Sequence, residues 1–131
     1  MIGLRIVTPK GNYSQLDVKS IHITSVVGEM TVLPNHIPLF ASIVPCKMIL
    51  VTENGEKQEY ATSGGFLHFE SNEALLLTDA IEGRGEIDYE RAKAAYERAR
   101  KRIEKKDSKT DMRRAELALQ RAIIRMKVYG G

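Results

Sequence analysis

The sequence predicts an α+β fold: an N-terminal antiparallel β-sandwich over residues 1–79, a linker over 80–86, and a C-terminal antiparallel two-helix hairpin over 87–131. Three observations predict it. Short runs of β-branched, aromatic and leucine residues alternate with turn punctuation as far as Thr78. The composition then changes to a polar stretch with two glycines, Asp79-Ala80-Ile81-Glu82-Gly83-Arg84-Gly85-Glu86. Beyond it the chain consists mostly of strong helix formers.

The β body is read element by element. Leu4 and Ile6 lie in the first strand, and Thr8-Pro9-Lys10-Gly11-Asn12 turns the chain. Val18, Ser20, His22 and Thr24 then alternate with Lys19, Ile21, Ile23 and Ser25, which predicts a strand partly apolar on one face. Met48-Ile49-Leu50-Val51-Thr52 runs into Glu53-Asn54-Gly55-Glu56. Asn-Gly after an apolar run signals a hairpin, because both residues tolerate positive φ. Glu59-Tyr60-Ala61-Thr62 follows, then a tight turn at Ser63-Gly64-Gly65, then Phe66-Leu67-His68-Phe69. The turn Glu70-Ser71-Asn72-Glu73 leads to Ala74-Leu75-Leu76-Leu77-Thr78. Several short strands with close turns fit a sandwich or a flattened barrel. The stretch Gly28 to Leu39 departs from a plain strand. Pro34 and Pro38 cannot donate to a ladder, so an exposed loop or edge is expected. Its apolar residues, with Glu29 at one end and His36 in the middle, form either a contact surface or a loop folded inward on itself.

Asp88 stands at a helix N-cap position with Glu90 in the first turn, and both suit the positive helix end. The first helix is expected over Tyr89–Lys106, with a thin stripe of Ala92, Ala95, Ala99 and Ile103. Asp107-Ser108-Lys109-Thr110 breaks the pattern. A second helix runs from Asp111 or Met112 to about Val128, with a seam of Met112, Ala115, Leu119, Ala122 and Met126. The alanine-rich stripe buries little area at roughly 25 cal/mol per Å². Isolated helices of this length are marginal in water. The hairpin is therefore expected to have low intrinsic stability. Arg91, Arg98 and Arg102 fall on one side of the first helix, and Arg114, Arg121 and Arg125 on one side of the second. These rows are either solvated faces paired with Glu90, Glu97, Glu104 and Glu116, or the two borders of a groove for a polyphosphate.

Composition excludes several classes of function. At 131 residues the chain is one domain, or one small domain with an appendage. It has no apolar run of roughly 18 residues, and its first residues lack the shape of a signal peptide. A place in the cytosol, or against a membrane through a partner, is expected. Cys46 is the single cysteine and reads as an apolar filler. His22, His36 and His68 have no metal-ligand spacing, and no nucleophile elbow or phosphate loop occurs, so no enzyme activity is expected. Net charge is only +3, with acids interleaved among the tail's basic residues. The alternative of a β-sandwich adaptor with a basic, nucleic-acid-binding helical tail is disfavoured by those acids and by the lack of stacking aromatics.

Taken together, Gly28-Glu29-Met30-Thr31-Val32-Leu33-Pro34-Asn35-His36-Ile37-Pro38-Leu39, then Ser63-Gly64-Gly65-Phe66, then the two-helix tail, resemble epsilon subunits of bacterial F-type ATP synthases. The resemblance covers essentially the whole chain. It departs at Pro45-Cys46-Lys47, where the family usually has glycine after the proline. It implies a ten-stranded sandwich and a non-catalytic place in the central stalk of a proton- or sodium-translocating enzyme. The implied partners are the gamma subunit, the c-ring and the alpha/beta head, at the cytoplasmic face of the bacterial membrane and touching it only through the complex. Glu29 would meet the c-ring, and Leu33 and His36 would lie near gamma. Ile87-Asp88-Tyr89-Glu90-Arg91-Ala92 is similar to the Ile/Leu-Asp-x-x-Arg-Ala motif of epsilon subunits that bind ATP. The implied ATP contacts are Glu82, Ile87, Asp88, Arg91, Ala92, Arg98, Arg121 and Arg125. ATP would act as a regulatory ligand that favours the compact hairpin, with no cofactor or metal required. Without it the helices would extend along gamma and restrain hydrolysis.

Overall fold

A computed structural model describes residues 1–105 and 111–130, so the expected break at Asp107-Ser108-Lys109-Thr110 lies outside the described residues. Nine strands precede two helices: β1 (Ile2–Thr8), β2 (Gly11–Ser25), β3 (Gly28–Val32), β4 (Leu39–Ile43), β5 (Cys46–Thr52), β6 (Lys57–Thr62), β7 (Gly65–Glu70), β8 (Glu73–Thr78), β9 (Ile81–Gly83), α1 (Tyr89–Lys105) and α2 (Met112–Gly130). The body is a β-sandwich. One layer runs β4-β7-β8-β1 and joins the first half of β2; the other runs from β3 through the second half of β2 to β5, β6 and β9. Among the described residues, β1 and β8 are the one parallel pair.

The resemblance implied ten strands, and the described residues form nine. The long β2 serves both layers without a break: residues 11–18 pair with β1, and residues 18–25 with β3 and β5. Its register shifts between Val18 and Ser20. A bulge of this kind moves the following side chains to the other face. Val18, Ile21 and Ile23 consequently all point into the core, although simple alternation puts Val18 on the opposite face from the two isoleucines. They pack with Ile2, Leu4, Ile6, Met48, Leu50, Leu67, Phe69 and Leu76, all fully buried. Cys46 fills the same core, and burial pushes its thiol pKa up.

Turn chemistry differs from expectation at one hairpin. Of Asn54 and Gly55, only Gly55 takes positive φ (82°). The β5–β6 connection is therefore a longer turn, closed by the Thr52 N–H donating to Glu56 C=O at 2.8 Å. The two-residue turn with positive φ at both centres is instead Ser71-Asn72, at 52° and 62°. At the layer crossing, a Cβ on Gly65 would stand 1.8 Å from the Leu77 carbonyl oxygen, so only glycine fits.

The segment 80–86, read as a linker, is structured. Ile81 enters the core at 6% exposure and draws its neighbours into β9, which pairs with β6 as Tyr60↔Gly83 and Thr62↔Ile81. Arg84–Glu86 then form one 3-10 turn. Two glycines and three charges concealed a single apolar anchor. Beyond it, the carboxylates of Asp88 and Asp111 accept backbone N–H bonds from Arg91 and Arg114, each at 3.1 Å, and cap α1 and α2. Ala92 and Ala99 of α1 and Ala115 and Ala122 of α2 are buried in the hairpin. A second, small cluster of Ala61, Ile87, Val128 and Ile124 seats α2 on β6.

Candidate functional site

Chain topology brings the β1–β2 turn, β9, the start of α1 and the last turns of α2 around one cleft of about 810 Å³. That volume lies within the ordinary range for small-molecule sites. Four basic side chains, Lys10, Arg91, Arg98 and Arg125, and four acidic ones, Asp79, Glu82, Glu86 and Asp88, line it. Most of the acids already have donors. Glu82 accepts from Arg125 Nε at 2.5 Å, with both side chains about 30% exposed. Glu86 accepts from the Tyr13 hydroxyl and from the Gly83 N–H at 2.9 Å. Asp88 accepts from the Arg91 N–H. Arg91 and Arg98 have no ion-pair partner among the described residues. The cleft is thus formally balanced in charge but rich in uncommitted cationic donors. Ile81, Ala92 and Ala95 give it an apolar wall.

Of the eight residues proposed for nucleotide, six meet here: Glu82, Asp88, Arg91, Ala92, Arg98 and Arg125. Ile87 is buried beneath them in the small cluster with Val128. Arg121 lines a neighbouring crevice with Thr62, Ser63, Ile124 and Arg125. Its Nε is buried and has no hydrogen-bond partner among the described residues. An orphaned donor of this kind carries a desolvation cost and favours an acceptor. Arg102 and Arg114 line neither space, so the two expected arginine rows do not form a single groove. Asp88 is engaged as the cap of α1 through Oδ1.

Sequence reasoning missed Thr8, Pro9, Lys10 and Tyr13 as part of this wall. No local signal marks them, because Tyr13 and Glu86 are 73 residues apart. Burial, and then the hydrogen bond to Glu86, raise the Tyr13 pKa well above its ordinary value.

The expected partner residues divide between two ends of β3. Glu29 lies at the β2–β3 tip, exposed, with its carboxylate 3.7 Å from His22 Nε2. Beside it Val26 and Val27 are 65% and 93% exposed. Leu33 and His36 lie in the loop at the other end. That loop is held rigidly: Asn35 and Asn72 exchange hydrogen bonds of 2.6 and 3.1 Å, and His36 packs edge-on to Phe69. The loop therefore presents Leu33 and Ile37 to solvent rather than folding them inward. No group of three or more metal-ligating side chains occurs among the described residues. No described helix is long and apolar enough to cross a membrane.

A β-sandwich continued by a helical hairpin defines one class of subunit, and comparisons with known proteins identify it. Residues 1–84 match the family described as ATP synthase, Delta/Epsilon chain, beta-sandwich domain, and residues 86–130 match its long alpha-helix domain. The chain belongs to this delta/epsilon family. It is 38% identical over 131 residues to the ATP synthase epsilon chain of Bacillus velezensis, covering 98% of this chain and 97% of that one. It is 42% identical over 123 residues to that of Desulfitobacterium hafniense, covering 94% and 92%. A chain in the Euglena gracilis mitochondrial ATP synthase structure, titled OSCP/F1/c-ring, superposes with a TM-score of 0.80 at 29% identity, covering 91% of this chain and 75% of that one. The chain is an epsilon subunit of a bacterial F-type ATP synthase, a non-catalytic stalk subunit of that complex.

Proposed function

We propose that the body couples the c-ring to gamma, while the hairpin is a regulatory arm whose docked state is stabilised by ATP bound in the cleft. Undocked, the arm would extend along gamma toward the alpha/beta head and restrain ATP hydrolysis. The observation that carries the nucleotide reading is the state of the cleft's charges. Its acids are largely consumed by internal donors, while Arg91 and Arg98, beside an apolar wall, have no ion-pair partner among the described residues. Guanidinium groups suit phosphate oxygens because they bind in a bidentate manner. Ala92, Ala95 and Ile81 offer a surface for a base.

The walls of the cleft come from two parts of the molecule. Lys10 and Asp79 belong to the body, Arg91 and Arg98 to α1, and Arg125 to α2. A ligand spanning them would bind only the docked state, which is the differential affinity a conformational switch requires. ATP here is an effector and not a substrate.

The two exposed ends of β3 support the stalk reading. Glu29 with Val26 and Val27 forms one contact tip, proposed for the c-ring. Leu33, His36 and Ile37 form the other, proposed for gamma. The subunit would lie at the cytoplasmic face of the membrane and touch it only through the complex. Titrating the intact chain with ATP, followed by NMR, tests the switch. Saturable strengthening of docking, lost in Arg91→Ala and Arg98→Ala, is expected. No response up to millimolar ATP would remove the effector role. Capture by isolated gamma, weakened by Leu33→Asp, tests the stalk role separately.

A further inference from the structure

The connector between body and hairpin is held from two sides. Toward the hairpin, Glu82 takes the Arg125 guanidinium, and Arg84 Nε donates to the Tyr129 carbonyl at the end of α2 at 3.1 Å. Both contacts exist only while α2 is docked. Toward the body, the Glu86 carboxylate accepts from the Tyr13 hydroxyl of β2 and from the Gly83 N–H of β9. The Tyr13 ring meets Tyr60 of β6 edge-on, centroids 6.4 Å apart, and Tyr60 is the ladder partner of Gly83. The packing there is close: a Cβ on Gly83 would lie 3.3 Å from Glu86 Oε1 and 3.5 Å from the Tyr60 ring. None of these body-side contacts involves α1 or α2.

We infer that Tyr13 and Glu86 form a latch that keeps residues 82–86 on the body whether or not the hairpin is docked. The pivot then lies at Ile87–Asp88, downstream of both glycines. This inference rests on the mobile-hairpin reading. The backbone supports that location. Ile87 is extended (φ −79°, ψ 125°) between the 3-10 turn and the first turn of α1, where the Ala92 N–H donates to the Asp88 carbonyl. Ile87 is also the residue of the connector that enters the docking cluster with Val128 and Ile124. Leaving the body therefore requires rotation at one extended residue and no loss of strand pairing. Tyr13 and Glu86 act as positioning residues: they fix the 3-10 turn that delivers Asp88 and Arg91 to the cleft.

The Gly83 amide reports the latch directly, since its hydrogen bond goes to Glu86. The intact chain is compared with Val128→Ala, Arg125→Ala, Tyr13→Phe, Glu86→Ala and Glu86→Gln. Hydrogen exchange follows Gly83, and methyl NMR of Ile124 follows docking. In Val128→Ala and Arg125→Ala the Ile124 signal moves toward an undocked position, while Gly83 exchange stays within about twofold of the parent. In Tyr13→Phe and Glu86→Ala, Gly83 exchange rises about fivefold or more. Glu86→Gln, which keeps an acceptor for both donors, restores most of the protection. Gly83 exchange that accelerates in step with undocking in Val128→Ala overturns the inference and moves the pivot into β9. Unchanged Gly83 exchange in Tyr13→Phe and Glu86→Ala also overturns it, while the mobile hairpin stands. An Ile124 signal unmoved in both Val128→Ala and Arg125→Ala removes the mobile hairpin and the pivot together.

Discussion

Replacing Val128 with alanine measures how firmly the hairpin is held. Val128 is fully buried against Ala61, Ile87 and Ile124, a cluster far smaller than the sandwich core. The substitution removes the equivalent of two methylene groups, or about 1.6 kcal/mol at ~0.8 kcal/mol each. The space left between β6 and α2 raises this to about 2 kcal/mol, because flanking strands and helix relax only in part. The loss falls on docking and not on the core of the body. At 1.4 kcal/mol per tenfold, the docked-to-undocked ratio drops about 30-fold. Methyl NMR of Ile87 and Ile124 across a temperature series reads that ratio, with Leu67 and Leu76 methyls as internal controls for the body. The reasoning is refuted if the Ile124 shifts match the parent while the whole chain loses about 2 kcal/mol in one cooperative urea transition. The hairpin and body would then unfold as one unit.

Three further outcomes follow from the same geometry. Arg125→Ala removes an ion pair whose members are 29% and 30% exposed, and solvent screening holds its contribution to docking to about 1–2 kcal/mol. A double-mutant cycle with Glu82→Gln should recover most of that value as coupling energy. Gly65→Ala places a Cβ 1.8 Å from a backbone oxygen at φ 145°, so the sandwich should lose more than about 4 kcal/mol, read as a collapse of its urea midpoint. Tyr13 is held above its ordinary pKa, so its contribution is complete below about pH 10 and declines as pH rises through the folded value. Unfolding free energies of the parent and Tyr13→Phe should therefore converge above pH 10, with the parent losing more.

The body was legible in the sequence wherever one face of a strand is buried. Short apolar runs bounded by turns locate β1, β5, β7 and β8, and each places alternate side chains in one core. Alternation failed in β2, where a bulge at Lys19 rephases the inward residues, and a register shift leaves no mark in composition. It failed again at 81–83, where Ile81 alone among polar neighbours holds β9. The helices and the Asp88 cap were legible because their chemistry is local, whereas Asp111, readable equally as the first helical residue, was not singled out as the cap of α2. Six of the eight residues placed around nucleotide share one cleft, yet the opposite wall, Lys10 and Tyr13, depends on where a distant turn falls.

On the proposed effector reading, the charge pattern of the cleft links stability to regulation. Among the described residues, docking rests on one small apolar cluster, one ion pair and one cap on α2, all within reach of a few kcal/mol. Filling the cleft with more cations alone would strengthen phosphate binding but would repel α2 from α1 in its absence. Placing Glu82, Glu86 and Asp88 among Lys10, Arg91, Arg98 and Arg125 avoids that repulsion and lets the empty hairpin close. The acids are then engaged by backbone and side-chain donors, Arg125 among them, which keeps Arg91 and Arg98 available. A docked state that is neither self-repelling nor strongly held is one whose population a single anionic ligand can shift.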